Sequence, residues 1–391
     1  MDRRRYALLT ALLSQPTAPF REDRIVAVIA RVLTEAGVPF FQDPVGNLIV
    51  GLSSPREYRR LARVPNAEPE RLFIAHMDHP GFHGVRWLSD RRLAVKWHGG
   101  APVKHLDGAA VWLADENGVC AQGRLARVRL GRDRRTIDTA EVRFDGRLTT
   151  ARPTAASLYG GFQFRAPVWR RGKRLYTKAA DDLVGVFAVV ATALDLFSKR
   201  RADSPPFIGL LTRAEEVGLV GVTGHFELGW LDRARRPIVC VSLETSRTLP
   251  DALIGKGPVV RLGDRRTVFD PGALKVLTEV AQKTLPKQHQ RRVMDGGTCE
   301  ATAATAYGLR AIGVSVPLGN YHNENFEGGE DARRKHGPAP EFVHLDDVDG
   351  LLKLCKALMR PHLPWKNPWD EQRRRLRKTL KRYRGLLKRS W

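Results

Sequence analysis

The stretch FIGLLTRAEEVG, residues 207–218, ends an apolar run with two neighbouring carboxylates, Glu215 and Glu216. Its first six residues have the length and composition of a buried β-strand, and Gly218 marks the turn that follows. Adjacent carboxylates repel each other, and a carboxylate that leaves water without a partner loses several kcal/mol or takes up a proton. We therefore expect positive charge at the end of this strand.

Strands and helices alternate along most of the chain. Further strands are predicted at 71–75, 238–243 and 311–316, with two short ones within 38–52, and helices at 21–36, 182–197, 272–284, 299–307 and 348–359. This alternation predicts an α/β fold in which helices cover both faces of a sheet. Residues 86–170 instead alternate apolar and polar side chains in short runs, which predicts a small β-barrel. The expected domains are therefore an α/β domain at 1–80 and 172–365, an inserted β domain at 81–171, and a tail at 366–391.

Histidines and carboxylates follow the predicted strands. They are His76 and Asp78, Glu215 and Glu216, Glu244, and His322, with Asp181 and Asp182 at the start of a helix. In open α/β sheets, ligands bind beyond the carboxyl ends of the strands, so these residues are expected at one edge. Imidazole and carboxylate ligands without thiolate suit zinc, cobalt or manganese in a catalytic site. Two ions about 3.5–4 Å apart would explain the number of carboxylates, because one carboxylate can bridge both.

Each of these residues also has an ordinary structural interpretation. A histidine at a strand end commonly forms only a hydrogen bond, an Asp-Asp pair fits a helix N-cap, and a Glu-Glu pair fits a solvated turn. Their convergence on one sheet edge favours the metal site. The histidines that show no such convergence are interpreted as ordinary polar residues: His79, His83, His98 and His105.

The ordered set of motifs resembles a known family. The stretches IAHMDHPGF, KAADDLVGV, TRAEEVGLVG, VSLETS, DGGTCEA and NYHN are similar, in order and spacing, to the motifs of the dinuclear-metal aminopeptidases of the glutamyl/leucyl (tetrahedral) aminopeptidase group. In that group an inserted β domain also falls between the His-x-Asp and Asp-Asp motifs. The resemblance implies a zinc-exopeptidase-like mixed sheet, and assembly into a homo-oligomer.

The resemblance also implies roles for individual residues. Asp181 would bridge two divalent ions, with His76 and Glu244 completing one site and Glu216 and His322 the other. The remaining roles are general base and acid for Glu215, orientation of His76 for Asp78, and a cis peptide between Asp181 and Asp182. Gly296, Gly297 and Thr298 are candidates for backbone contacts to the substrate; the alternative is that the two glycines simply form the turn before the helix.

The chain departs from the family pattern at four places. Glu244 stands where that group usually has Asp, and His79 stands where an acid is common. Thr298-Cys299-Glu300 replaces the usual Thr-Asp-Ala, and residues 326–340 are inserted after the His322 motif. These changes bear more on substrate preference than on the metals and the reaction type.

The expected reaction is hydrolysis of the N-terminal residue from peptides, by a hydroxide held between two ions, with Glu215 as general base. Zinc or cobalt is expected, with manganese as a third option. A metal-dependent deacylase of N-acyl amino acids or small amides is the alternative enzyme, since the same centre serves both. A different class of function is nucleic-acid binding by a degenerate peptidase scaffold.

Charge and cysteine content limit the location and partners. The formal net charge of +24 is partly concentrated in the tail EQRRRLRKTLKRYRGLLKRSW, where leucines and a tyrosine form a narrow helical stripe. The stripe is expected to pack on the body or on a neighbouring subunit, while nucleic acid or an anionic surface is the alternative partner. Four dispersed cysteines indicate free thiols, and no apolar run is long enough to span a membrane. The arginine-rich start is interpreted as an amphipathic helix rather than an export signal, so a cytoplasmic location is expected.

Overall fold

The structure is a computed structural model that describes residues 1–144, 153–199, 205–295 and 297–387. Within these residues the α-helices are α1 Arg3–Leu13, α2 Asp23–Glu35, α3 Pro55–Arg63, α4 Leu183–Phe197, α5 Val220–Glu227, α6 Pro271–Thr284, α7 Glu300–Ala306, α8 Leu345–Leu358 and α9 Asp370–Leu387. Short 3₁₀ helices span Ala155–Ser157 and Tyr321–Asn323. The helices predicted at 21–36, 182–197, 272–284, 299–307 and 348–359 are confirmed, whereas the two short helices α3 and α5 were not predicted.

The strands form one large sheet and one barrel. They are β1 Phe40–Gln42, β2 Leu48–Val50, β3 Glu70–His76, β4 Gly81–Ser89, β5 Arg92–His98, β6 Ala110–Asp115, β7 Gly118–Leu130, β8 Ile137–Phe144, β9 Tyr159–Phe162, β10 Val168–Arg171, β11 Arg174–Thr177, β12 Phe207–Thr212, β13 Ile238–Arg247, β14 Val259–Gly263, β15 Gln290–Val293, β16 Arg310–Gly319 and β17 Glu341–His344. The sheet has the order β1-β2-β12-β3-β13-β16-β17-β11-β10, with β14 paired to β16 and β15.

The centre of the sheet is parallel, and this arrangement positions the predicted site. Strands β12, β3, β13 and β16 run in one direction, with Thr212 beside His76 in one pair and Glu244 beside Ser315 in another. Antiparallel strands continue the sheet on both sides of this centre, so the sheet is mixed, as the family resemblance implied. Because the central strands are parallel, the residues that follow them meet at one edge.

Helices cover both faces of the sheet, as the α/β pattern predicted. Helices α1, α2, α4, α6 and α8 bury their apolar residues on one face, and α3, α5 and α7 do so on the other. Helix α4 is buried from Leu183 to Ala193, which explains why its sequence is apolar on nearly all sides. The central strand β3 is buried along its whole length, as a strand covered on both faces must be.

The β-rich segment closes into a barrel. Strands β4, β5, β8, β7, β6 and β9 pair in that order around a separate core that includes Phe82, Trp97 and Leu113. Within the chain the barrel follows β3 and precedes α4, so it is inserted between His76 and Asp181, as expected. Strand β10, Val168–Arg171, pairs with β11 in the large sheet rather than with the barrel.

The remaining features concern the cysteines and the chain's ends. All four cysteines are free thiols, as predicted. The first residues form helix α1, and no helix in the described ranges is both long and apolar enough to cross a bilayer. Helix α9 has no buried residue, so its apolar stripe does not pack on the body of the chain, which was one of the two expected packing sites. Packing on a neighbouring subunit, the other expected site, stays a prediction.

Candidate metal centre

The sheet edge brings both predicted histidines to one carboxylate. His76 is the last residue of β3, His322 follows β16, and Asp181 precedes α4. Nε2 of His76 lies 3.6 Å from Oδ1 of Asp181, and Nε2 of His322 lies 3.6 Å from the other oxygen, Oδ2. Asp181 therefore stands between the two imidazoles, with one oxygen facing each. The peptide between Asp181 and Asp182 is cis, as the resemblance implied.

The three predicted glutamates complete this cluster. Ligand atoms of His76, Asp181 and Glu244 lie within 4.8 Å of one another, and so do those of Asp181, Glu216 and His322. Oε2 of Glu216 is 3.2 Å from Nε2 of His322. A third group of the same size joins His76, Glu215 and Glu216. Every residue predicted as a metal ligand is thus within reach of a shared site, and Glu215 lies beside it.

The electrostatics of the cluster require positive charge among the acids. Burial alone would lower the pKa of His76, but the carboxylates of Glu215, Asp181 and Asp78 raise that pKa well above its usual value. Burial raises the pKa of Glu215, and burial together with the Glu300 carboxylate raises that of Glu244. Burial acts the same way on Asp181, yet the two imidazoles hold its pKa below the usual range. The acids are too close to one another to be ionised together unless cations lie between them.

A second observation indicates that the clustered histidines and carboxylates suit divalent ions. Oδ1 of Asp181, Oε1 of Glu216 and Nε2 of His322 are buried and have no hydrogen-bond partner. Buried polar atoms in native proteins are almost always satisfied, so orphaned atoms on all three members of one ligand group indicate a ligand. Their chemistry, one imidazole nitrogen and two carboxylate oxygens, is that of a zinc, cobalt or manganese site.

Asp78 supports both His76 and the loop that follows β12. Nδ1 of His76 lies 3.1 Å from the main-chain oxygen of Asp78 and 3.5 Å from its carboxylate. The carboxylate also accepts hydrogen bonds from the backbone N–H groups of Glu215, at 2.9 Å, and Glu216, at 3.1 Å. Asp78 therefore fixes the backbone from which the two adjacent glutamates project, a role that the sequence did not reveal.

Two further side chains hold the ends of the same loop. Oδ1 of Asn47 accepts the N–H of Arg213, at 3.1 Å, and its amide nitrogen donates to the carbonyl oxygen of Gly221, at 2.9 Å. Glu22, fully buried before α2, accepts the N–H of Ala214 at 3.0 Å. The loop that carries the paired glutamates is thus tied to the N-terminal part of the chain.

Glu341, at the start of β17, is a functional residue that sequence reasoning missed. Its Oε2 accepts the N–H groups of Ala180, at 2.6 Å, and Asp181, at 3.1 Å, while Oε1 accepts the N–H of His322, at 2.9 Å. One fully buried carboxylate therefore positions two of the candidate ligands. It lies 19 residues after His322, and the inserted residues 326–340 separated it from every motif that pointed to the site.

His79 was interpreted as an ordinary polar residue, and the structure corrects that interpretation. Its ring is buried, with Nδ1 2.8 Å from the main-chain oxygen of Asp181 and Nε2 3.2 Å from Oδ1 of Asn323. The ring therefore connects the segment after β3 with the backbone of Asp181 and with the loop that carries His322. The other three histidines, His83, His98 and His105, belong to none of the ligand groups among the described residues.

A glycine of the barrel domain touches the centre. A Cβ atom at Gly100 would lie 2.1 Å from Nδ1 of His322, so only glycine fits there without a shift of the ring or the loop. The ring of His322 also stacks on Tyr321, with ring centroids 3.7 Å apart. The inserted barrel therefore helps to fix the orientation of His322.

Two of the four departures from the family motif, Glu244 and Glu300, lie beside each other. Nη1 of Arg261, on β14, lies 3.6 Å from Oε1 of Glu244. Glu300 is fully buried at the start of α7, where it accepts a hydrogen bond from Thr212 at 3.0 Å. The buried guanidinium of Arg261 compensates the charges of Glu244 and Glu300, which stand where the family has the shorter side chains of Asp and Ala.

The loop predicted to contact substrate precedes α7. Gly297 and Thr298 are exposed, and Gly296 lies outside the described residues. Two glutamates attach the insertion at 326–340 to the rest of the chain: Glu327 accepts a hydrogen bond from the N–H of Asn320 at 2.6 Å, and Glu330 forms ion pairs with Arg165 and Arg171.

A mixed sheet covered by helices, an inserted barrel and a cluster of histidines and carboxylates at the carboxyl edge together form a candidate metal centre on an α/β scaffold. The profile of the M42 glutamyl aminopeptidase family matches residues 61–327, and the chain belongs to this family. It is therefore a metal-dependent aminopeptidase. Among curated proteins, no match was found.

Solved structures of archaeal peptidases share the fold. The TET1 peptidase of Pyrococcus horikoshii is 22% identical, with 91% of this chain and 99% of that chain covered and a TM-score of 0.69. An aminopeptidase of Desulfurococcus kamchatkensis is 20% identical, with 93% and 96% covered and a TM-score of 0.70. A TET aminopeptidase from a marine sediment archaeon of the Thaumarchaeota is 18% identical, with 92% and 98% covered and a TM-score of 0.69.

Proposed function

We propose that this protein removes the N-terminal residue from peptides by means of two divalent ions that share Asp181. The observation that carries this proposal is the pair of ligand groups with one common member: His76, Asp181 and Glu244 form one, and Asp181, Glu216 and His322 form the other. Zinc or cobalt fits these ligands, and manganese is a third candidate. When bound, such ions supply an activated water and polarise the scissile carbonyl group.

The chain's own contribution to the reaction is proton transfer and orientation. Glu215 belongs to neither of the two groups that share Asp181, yet its Oε2 lies 3.8 Å from Nε2 of His76. A carboxyl group with a raised pKa beside the site is suited to take a proton from water and to pass it to the departing amine. Asp78 holds the backbone of Glu215 in place, while the exposed Gly297 and Thr298 are proposed to contact the substrate, together with Gly296.

The adjacent glutamates provide a matched pair of variants for the test. Glu215→Gln is expected to keep two ions per chain and to lower turnover by at least about 100-fold, the scale of a lost general base. Glu216→Gln is expected to lose one ion, because its carboxylate completes the site of His322. Elemental analysis of the purified variants and assays with aminoacyl-4-nitroanilides measure both quantities. Loss of metal from Glu215→Gln, or unchanged turnover in it, would refute the assignment of Glu215.

The alternative enzyme, a deacylase, differs in its substrate rather than in its centre. Amides with a free α-amino group and their N-acetylated counterparts separate the two activities. We expect hydrolysis only of the free amines, and loss of that hydrolysis with a chelator. Faster hydrolysis of the N-acetylated series would replace the aminopeptidase proposal with the deacylase.

Assembly and location complete the proposal. The TET1 peptidase of Pyrococcus horikoshii can assemble into a tetrahedron or a large octahedral shell. We propose that this chain also forms a homo-oligomer, which sedimentation of the purified protein tests. A reducing cytoplasm is consistent with four free cysteine thiols.

A further inference from the structure

Helix α9 presents an apolar stripe that nothing in the described chain covers. Leu376, Leu380, Tyr383 and Leu387 follow one another at intervals of four, three and four residues, which places them on one helix face. Their exposed fractions are 59%, 53%, 45% and 73%. A solvated terminal helix has no need of such a stripe, and large apolar groups aligned on an exposed face mark an interaction surface.

The rest of the helix is strongly cationic. Its eight basic residues are Arg373, Arg374, Arg375, Arg377, Lys378, Lys381, Arg382 and Arg384, against two acids, Asp370 and Glu371. Both acids lie in the first turn and pair with arginines of the same helix. From residue 372 to residue 387 the helix carries no negative charge.

The base of the helix is fixed to the body of the protein. Trp365 is buried, with the guanidinium carbon of Arg71 5.4 Å from its ring centroid, and the amino group of Lys275 lies 5.9 Å from the ring centroid of Trp369. Beyond Trp369 the helix side chains are exposed. The stripe and its basic flanks are therefore presented on a structured base.

The combination of stripe and charge selects among partners. At 100° per residue, Arg373, Arg377 and Arg384 border one side of the stripe. On the other side Arg375 and Arg382 lie just beyond Thr379 and Leu386. Two copies of α9 that met along the stripe would bring these cations against one another. Nucleic acid would match the cations but would leave the leucines in water. An anionic bilayer surface accepts both, because its headgroups attract the cations and its acyl boundary buries the apolar face.

We propose that α9 docks this peptidase on the surface of membranes that contain anionic lipids. The helix would lie in the interface with its stripe facing the acyl chains, without crossing the bilayer. This inference goes beyond the proposed catalytic function and does not depend on it.

The experiment uses the full chain and sedimentation with vesicles. We expect binding to vesicles with roughly one phosphatidylglycerol in three lipids, at least about tenfold tighter than to pure phosphatidylcholine, and much weaker binding at about 0.5 M NaCl. The double variant Leu376→Ser/Leu380→Ser should bind about 100-fold more weakly, since each of the two buried leucines contributes about tenfold. The matched control Leu253→Ser/Val268→Ser removes two exposed apolar side chains elsewhere and should bind like the wild type. Peptidase activity should be unchanged in both variants.

Other results would overturn the proposal. Equal binding to neutral and anionic vesicles, or full binding by the leucine variant, would exclude this mode of docking. Absence of vesicle binding together with salt-sensitive binding of a single-stranded oligonucleotide would assign the helix to nucleic acid. Absence of vesicle binding together with a smaller oligomer for the leucine variant, measured by mass photometry, would assign the stripe to a contact between copies of this chain.

Discussion

Replacement of Glu341 with glutamine is expected to weaken metal binding although Glu341 is not itself a candidate ligand. The carboxylate accepts three backbone hydrogen bonds, from the N–H groups of Ala180, Asp181 and His322. Glutamine has a single acceptor oxygen, so its amide nitrogen must face at least one of these N–H donors. Whichever way the amide turns, the backbone of one candidate ligand loses its partner.

The structure sets the size of this effect. If the amide oxygen stays with Ala180 and Asp181, only the N–H of His322 is left without an acceptor, at a cost of about 1–3 kcal/mol for one buried donor. The opposite orientation leaves two donors unsatisfied and roughly doubles that cost. Burial raises the pKa of Glu341 to about 6, so the neutral amide also recovers part of the cost of burying the charge. We therefore expect metal affinity to fall by about 10–100-fold, the usual effect of losing a group that orients a ligand.

Competition with a chromophoric chelator measures the zinc affinity of the wild type and of Glu341→Gln. Turnover should recover at high zinc concentration, because the catalytic groups themselves are intact. Glu70→Gln is the matched control: Glu70 is equally buried but lies at the opposite end of β3 from His76, and its substitution should leave zinc affinity unchanged. If Glu341→Gln binds zinc within about twofold of the wild type, a difference of about 0.4 kcal/mol, Glu341 does not position the ligands.

Two further predictions concern Gly100 and Glu70. Gly100→Ala is expected to lower turnover by on the order of 100-fold, because its Cβ would displace the ring of His322. The control is Gly385→Ala, whose Cβ would contact no other atom and which should have no effect on turnover. Equal turnover in the two variants would show that the barrel does not position His322. Burial raises the pKa of Glu70 from 4.5 to about 7. The folded state therefore binds this proton more tightly, and the resulting stability, present below pH 4.5, is lost as the pH rises through 7. Glu70→Gln removes that loss, so its free energy of unfolding in urea should exceed that of the wild type by up to about 3 kcal/mol at pH 8 but not at pH 4.5; a difference independent of pH would contradict this reasoning.

The position of His79 shows a limit of reasoning from motifs. A histidine where an acid is common carries no pattern that reveals its partners, which lie on segments distant in sequence, at Asp181 and Asn323. Asp78 illustrates the same limit from the other side. The spacing of two residues predicted that Asp78 lies close to His76. Its two hydrogen bonds to the loop after β12 depend instead on how β3 and β12 pair.

The sequence by itself determined which residues end the strands and which chemistry they offer. Apolar runs followed by His76, Glu215, Glu216 and His322 were sufficient to predict an α/β sheet with a metal site at one edge, because strand burial and ligand preference are local properties of side chains. Only the tertiary structure decided that Glu341 holds the backbone of Asp181 and His322, that Gly100 lies against the ring of His322, and that the stripe of α9 stays uncovered. Those facts depend on strand order, on register and on backbone groups brought together from distant parts of the chain, and no local pattern encodes them.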